Sequence, residues 1–307
     1  MKQTTSTILM VRPANFGFNA QTAVSNAFQH EDTSIGKDEI KQLAIEEFDN
    51  FVNKLRDNGI QVTVVQDSET PVKPDAVFCN NWISTHTNGT MILYPMLTEN
   101  RRLERQPYVI EQIEKGFNIK RHLDFSEHEA IGQILEGTGS MILDRVNRLV
   151  YACLSPRTHA DLLDEFCKWA DYEKVVFHSL DKNGQEIYHT NVMMAMGDDF
   201  VVVCMDSIPD EAEKDLVMKY FRQTNKTIID LSMEQVESFA GNMLQVEDEA
   251  GKTFLVMSEQ AYNSLTQSQI ETIEKFTTIL HAPLYTIEKY GGGSARCMMA
   301  EIFLEKK

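Results

Sequence analysis

The stretch "VMMAMGDDFVVVCM" (Val192–Met205) decides the fold. Two apolar runs flank the turn residues Gly197, Asp198 and Asp199, which reads as two antiparallel strands joined by a hairpin. Downstream, "DEAEKDLVMKYFRQT" (210–224) has apolar residues at helical spacing, and "KTIIDLS" (226–232) is a β-branched run. The order is strand, strand, helix, strand.

The same order recurs along the chain. Hairpins read from "VFCNNWISTHTNGTMILYP" (77–95), "SMILDRVNRLVYACL" (140–154) and "NMLQVEDEAGKTFLVM" (242–257). Helix-then-strand pairs read from "PYVIEQIEKGF" into "IKRHLDF" and from "HADLLDEFCKWADY" into "KVVFHSL". A further pair runs from "TQSQIETIEKFTTIL" (266–280) into "PLYTIEK" (283–289). Near the N-terminus, "KDEIKQLAIEEFDNFVNKLRDNG" leads into "IQVTVVQ" with Gly59 as the helix stop. The last strand, within "CMMAEIFLEKK", has no hairpin partner after it. "STILMVR" (6–12) supplies one and closes a ring. The expectation is an α/β fold of five ββαβ units, one of them shared between the two ends. No Pro-, Gly- or Ser-rich linker interrupts 1–307, so one domain is expected.

At the entry to the first strand of each hairpin stands a polar or reactive residue: Asn81, Glu136, His189, Asn242 and Cys297. Their separations are 55, 53, 53 and 55 residues. Equivalent positions of a pseudo-fivefold ring converge on its axis, so a carboxylate, an imidazole and a thiol share one cleft. A cysteine nucleophile acts as a thiolate and needs a base or cation beside it. His189 meets that need, and Glu136 can orient the histidine or bind substrate nitrogen. Asn242 has no evident role in the sequence.

Composition narrows the partners. The 307 residues carry 29 Lys and Arg against 46 Asp and Glu, a net charge of -17, which disfavours nucleic acid and anionic membranes. Five cysteines (79, 153, 167, 204, 297) form no CxxC pair and suit neither a disulfide framework nor a zinc site. Cys153 and Cys204 sit in apolar runs, and Cys79 also reads as core. The N-terminal apolar patch is shorter than a signal-peptide core of roughly 7 residues or more, so a cytoplasmic protein is expected.

These segments resemble the guanidino-group-modifying superfamily, the penteins, over nearly the whole chain. "PDAVFCNNW" is similar to its Asp-x-x-Phe-x-acid-Asp motif and "EGTGSMIL" to its Glu-Gly-Gly-Asp segment. "HTNV" resembles its His-x-Asp segment, and "GGGSARCM" its nucleophile loop. The resemblance implies a five-bladed α/β propeller, with Cys297 as nucleophile, His189 as general acid/base and Glu136 as third member. It also implies that Arg102 in "NRRLE" and Arg157 in "LSPRT" hold a substrate carboxylate, for which a planar guanidinium fork is suited. Asp75 braces the site or takes the α-amino group. No metal or organic cofactor is implied.

The departures from the family pattern bear on substrate. Deiminases hold a guanidinium with two aspartates, and those positions here are Asn81 and Asn191. Asn80 stands where some relatives carry an acid, and Gly139 replaces the Asp of the Glu-Gly-Gly-Asp segment. A buried cation without counter-charge is costly, whereas an amide's donors and acceptor suit a neutral ureido group. With "VRPANFGFN" and "NNWIS", this resembles the citrulline utilisation hydrolases. The expected reaction is cleavage of citrulline to ornithine, carbon dioxide and ammonia. The alternatives are a deiminase, dimethylarginine hydrolase or amidinotransferase on a guanidino substrate, or a non-catalytic binding module. The expected partner is a small amino acid, and the protein is a monomer or homodimer.

Overall fold

The computed structural model describes residues 2–32 and 34–307. It contains five three-stranded sheets, each with one antiparallel and one parallel pairing. The N-terminal strand β1 (Thr7–Arg12) runs parallel to β2 (Gln61–Gln66), with the helix Lys37–Asp57 between them. Next come β3 (Ile83–Thr85), β4 (Thr90–Leu93) and β5 (Arg121–Asp124), then β6 (Ile142–Asp144), β7 (Leu149–Cys153) and β8 (Glu173–Phe177). The fourth sheet holds β9 (Met194–Met196), β10 (Phe200–Val203) and β11 (Thr227–Asp230), and the fifth β12 (Leu244–Glu247), β13 (Thr253–Ser258) and β14 (Thr278–Ala282). The final strand, β15 (Ala300–Glu301), returns to pair antiparallel with β1, Ile8 opposite Glu301 and Leu9 opposite Ala300. The chain's two ends thus complete one blade of a five-bladed α/β propeller.

The middle strands explain why the opening stretch is so uniformly apolar. β10 lies between β9 and β11, and every residue from Phe200 to Val203 is buried. A strand covered on both faces reads as a continuous hydrophobic run rather than an alternating one. The helices alternate instead: Ile40, Ala44, Phe48, Phe51 and Leu55 form the buried face of Lys37–Asp57. The helix Glu211–Gln223 starts at Asp210, whose carboxylate accepts from the N–H groups of Ala212 and Glu213. Among the described residues, no helix is long and apolar enough to cross a membrane.

The fifth repeat corrects the sequence reading. The helix there covers only Gln267–Ile273, and "TILHA" (278–282) is the strand rather than helix. "PLYTIEK" (283–289), expected as strand, instead runs into the helix Tyr285–Gly291, which buries Ile287 and Tyr290. Two threonines and an isoleucine at 277–279 favour strand over helix. Pro283 then ends the strand, since it offers no N–H to a ladder.

Candidate active site

All five ring positions lie on tight turns that deliver the chain into the first strand of a blade. Asn81 ends the turn Cys79–Asn81, Glu136 caps Gly137–Ser140, and His189 precedes Thr190–Val192. Cys297 lies in the turn Ala295–Met298, and Asn242 stands two residues before β12. All five are buried. Asn81, His189 and Cys297 line one cavity with Asp75, Arg101 and Arg157.

Glu136 is the electrostatic hub. One carboxylate oxygen accepts the backbone N–H of Leu97 at 2.9 Å. The other lies 2.8 Å from His189 Nε2, 3.4 Å from Arg157 Nη1 and 3.9 Å from Arg101 Nη1. Burial alone would raise the Glu136 pKa, but Arg157, His189 and Arg101 together hold it below the usual carboxylate range. An ionised carboxylate only accepts, so His189 donates through Nε2 and leaves Nδ1 with its lone pair. Burial, opposed by Glu136 and reinforced by Arg157 and Arg101, lowers the His189 pKa to about 4. The imidazole is therefore neutral near pH 7 and able to act as a base.

Gly139 explains part of this geometry. A Cβ there would lie 2.4 Å from Asn81 Nδ2 and 2.7 Å from His189 Nδ1. Those side chains occupy the volume an aspartate would need, so the glycine is a packing requirement here and not merely a lost acid.

Cys297 follows a glycine run whose middle member, Gly292, has φ +63° and ends the helix Tyr285–Gly291 in the left-handed conformation. The sulfur lies 3.3 Å from Asn191 Nδ2 and 3.2 Å from Asn242 Nδ2. The Cys297 N–H donates to Asn242 Oδ1 at 3.3 Å. Asn242, without a role in the sequence, is thus in contact with the candidate nucleophile. Burial pushes the thiols of Cys79 and Cys153 up to about 12, as expected of inert core cysteines.

The residues expected to hold substrate divide into three groups. Asp75 faces the cavity and accepts from Asn19 Nδ2 at 2.7 Å and from the Thr22 hydroxyl at 3.0 Å. Its burial outweighs Arg101 and raises its pKa. Asn81 also faces the cavity, but its Oδ1 accepts from Arg101 Nη1 at 2.9 Å and its Nδ2 donates to Asn80 Oδ1 at 3.0 Å. Asn80 stands behind it and bonds Thr138, so Asn80 braces Asn81 rather than lining the cavity. Asn191 is also outside the cavity lining; it spends its Nδ2 on the sulfur, and its Oδ1 is buried without a partner.

The arginines require one correction. Arg102 lies outside the cavity, its guanidinium on the carbonyls of Met96 and Leu97 and 3.4 Å from Glu129. Arg101 is the one that turns inward, paired through two nitrogens with Glu104 at 2.8 and 3.0 Å. Burial carries Glu104 up to about 7 despite that partner. The phase of the one-turn helix Glu99–Arg102 decides which of two adjacent arginines points in. The Glu104 at i+3 from Arg101 was the available signal. Arg157 lines the cavity, stacked 4.8 Å from the Tyr188 ring centroid, with its buried Nε unpartnered.

The cover of the cavity escaped the sequence reading entirely. Asn26 and Gln29 donate to the carbonyls of Gly292 and Gly291 at 3.3 and 2.9 Å. Arg157 Nη2 reaches the Ser25 hydroxyl at 2.7 Å. The enclosed space is about 10 Å³, room for about one water. The segment has no apolar periodicity, and Gly291, Gly292 and Arg157 are over a hundred residues away from it in sequence.

A five-bladed propeller with thiol, imidazole and carboxylate at its axis is the architecture of the guanidino-modifying penteins, and the chain is a pentein. It belongs to the family described as N,N dimethylarginine dimethylhydrolase, eukaryotic, whose model matches residues 12–304. Similar solved structures include the substrate-bound N-terminal domain of ArgZ, an arginine dihydrolase from the ornithine-ammonia cycle in Cyanobacteria. It shares 18% identity at a TM-score of 0.75, over 97% of this chain and 98% of that one. Against apo ArgZ the chain spans 40% of that chain's length, at 18% identity, TM-score 0.74 and 97% of this chain. A dimethylarginine dimethylaminohydrolase adduct with S-methyl-L-thiocitrulline shares 16% identity at a TM-score of 0.64, over 96% of this chain and 99% of that one. No curated protein sequence matches the chain. At these identities the structural likeness speaks to the fold.

Proposed function

We propose that the protein is a cysteine hydrolase that cleaves the ureido C–N bond of citrulline, giving ornithine, carbon dioxide and ammonia. One observation carries the reading: the groups around the Cys297 sulfur are neutral amides, and the nearby carboxylate is already engaged. Glu136 has one oxygen on the Leu97 N–H and the other shared by His189 and Arg157. A guanidinium cation would meet Arg101 and Arg157 without a free carboxylate beside the thiol, a costly arrangement. A ureido group brings no charge, and the unpartnered Asn191 Oδ1 suits one of its N–H groups.

In this scheme the Cys297 sulfur attacks the ureido carbon as its thiol proton passes to His189 Nδ1, and ammonia leaves with that proton. The remaining N-alkyl thiocarbamate is attacked by water, which gives its proton to His189 Nδ1 as the C–S bond breaks. The carbamate of ornithine then loses carbon dioxide. Arg157 takes the substrate carboxylate through its open Nε edge, and Asp75 takes the α-ammonium group.

The second reading is a guanidino substrate, favoured by the family's dimethylarginine name and by the arginine dihydrolase name of a structural relative. A cysteine mechanism underlies both. A folded Cys297→Ser variant should release no ornithine from citrulline; undiminished release would refute the covalent mechanism.

A further inference from the structure

Asn191 and Asn242 come from different blades, yet both turn a side-chain nitrogen to the same sulfur, at 3.3 and 3.2 Å. The orientation of the Asn242 amide is fixed by its other partners. Its Oδ1 accepts from the Cys297 N–H, a group that only donates. Its Nδ2 donates at 3.0 Å to the Asn191 carbonyl, a group that only accepts. Flipping the amide would oppose like with like at both ends. The atom turned to the sulfur is therefore a donor, and one side chain holds both the backbone and the Sγ of Cys297.

We infer that Asn242 and Asn191 form a two-donor seat for the thiolate of Cys297, the form in which the sulfur attacks. A thiolate accepts both N–H groups, whereas a thiol must point its own proton away from them. Hydrogen bonds to an ionised partner are about twice as strong as neutral ones. Both amides are buried, so bulk water does not compete for them. The seat assigns the Asn191 nitrogen to the nucleophile and leaves its oxygen for substrate. Asn242 is a positioning residue, acting through Cys297. The inference rests on Cys297 as the nucleophile but not on the identity of the substrate.

The test is the rate of iodoacetamide alkylation at Cys297 against pH, with the site located by peptide mapping. In alkylation the sulfur forms a bond to the methylene carbon as iodide leaves, so the rate follows the thiolate fraction. The wild-type profile of rate against pH supplies the reference midpoint. Asn242→Ala should raise that midpoint by about 1 unit, with the plateau rate at high pH unchanged. At pH 7 alkylation then slows by up to about tenfold. A residue that only braces the turn would leave the midpoint in place. An unchanged midpoint in folded Asn242→Ala protein overturns the seat. If that variant fails to fold, Asn191→Ala carries the test, because among the described residues the one side-chain hydrogen bond it removes is that to the sulfur. An unchanged midpoint there is equally fatal. Wild-type Cys297 reacting no faster than Cys79 would instead overturn the nucleophile reading itself.

Discussion

Gly139→Ala is a one-carbon change whose consequence can be worked from the structure. The added Cβ would sit 2.4 Å from Asn81 Nδ2 and 2.7–2.8 Å from Nδ1 and Cε1 of His189. Comfortable contact is about 3.5 Å or more, so one of these groups must retreat by about 1 Å. Neither moves freely. The Asn81 amide is held by Arg101 at 2.9 Å and Asn80 at 3.0 Å, and His189 is held by Glu136 at 2.8 Å. Overpacking of this kind costs about 1–3 kcal/mol of stability. A catalytic group misplaced by about 1 Å costs about 100-fold in rate. Ornithine release from citrulline should therefore fall about 100-fold in kcat, while urea denaturation shows the folded state retained with a lower midpoint. Gly139 is outside the positive-φ set, so backbone strain does not confound the result. Activity within twofold of wild type and an unchanged midpoint would refute the claim that this glycine makes room for the imidazole and the amide.

The two arginines should separate. Arg157→Lys loses the fork that suits a carboxylate, a charge-assisted contact of about 2 kcal/mol, so KM for citrulline should rise about 30-fold. Arg102→Ala removes a partly buried pair with Glu129 outside the cavity and should change kcat/KM by less than about threefold. Steady-state kinetics on both variants checks this. His189 also leaves a signature in stability. Its folded pKa of about 4 lies below the ~6.5 of an unfolded histidine, so the unfolded chain binds more protons between these values. Stability is full above about pH 6.5 and falls by about 3 kcal/mol as pH drops to 4. Glu104, raised to about 7, works in the opposite sense over part of that window. The comparison of wild type with His189→Gln isolates the histidine: the variant should lose less stability between pH 7 and pH 5 in urea titrations.

The spacing of the five ring positions was legible because each blade is one strand-strand-helix-strand unit of nearly constant length. Chain length therefore carries angular position around the axis. Closure of the ring was legible for a similar reason: a last strand without a hairpin partner needs one from the other end. What escaped depended on orientation rather than position. Arg101 and Arg102 are adjacent, and only the phase of a single helical turn distinguishes them. Gly139 reads as an absent acid in sequence, but its contacts with Asn81 and His189 show a steric demand. Asn242 holds a ring position in the sequence, but its role is not legible until the sulfur of Cys297, 55 residues away, is seen beside it. The cover formed by Asn26 and Gln29 is built from hydrogen bonds to glycine carbonyls, which leave no pattern in side-chain chemistry.

Turnover of citrulline and arginine by the same purified protein, assayed separately for ornithine, citrulline and ammonia, tests the central claim most directly. Neutral amides around Cys297 predict ornithine and ammonia in equal amounts from citrulline, with arginine turned over far more slowly. Conversion of arginine to citrulline, with citrulline left intact, would contradict the account.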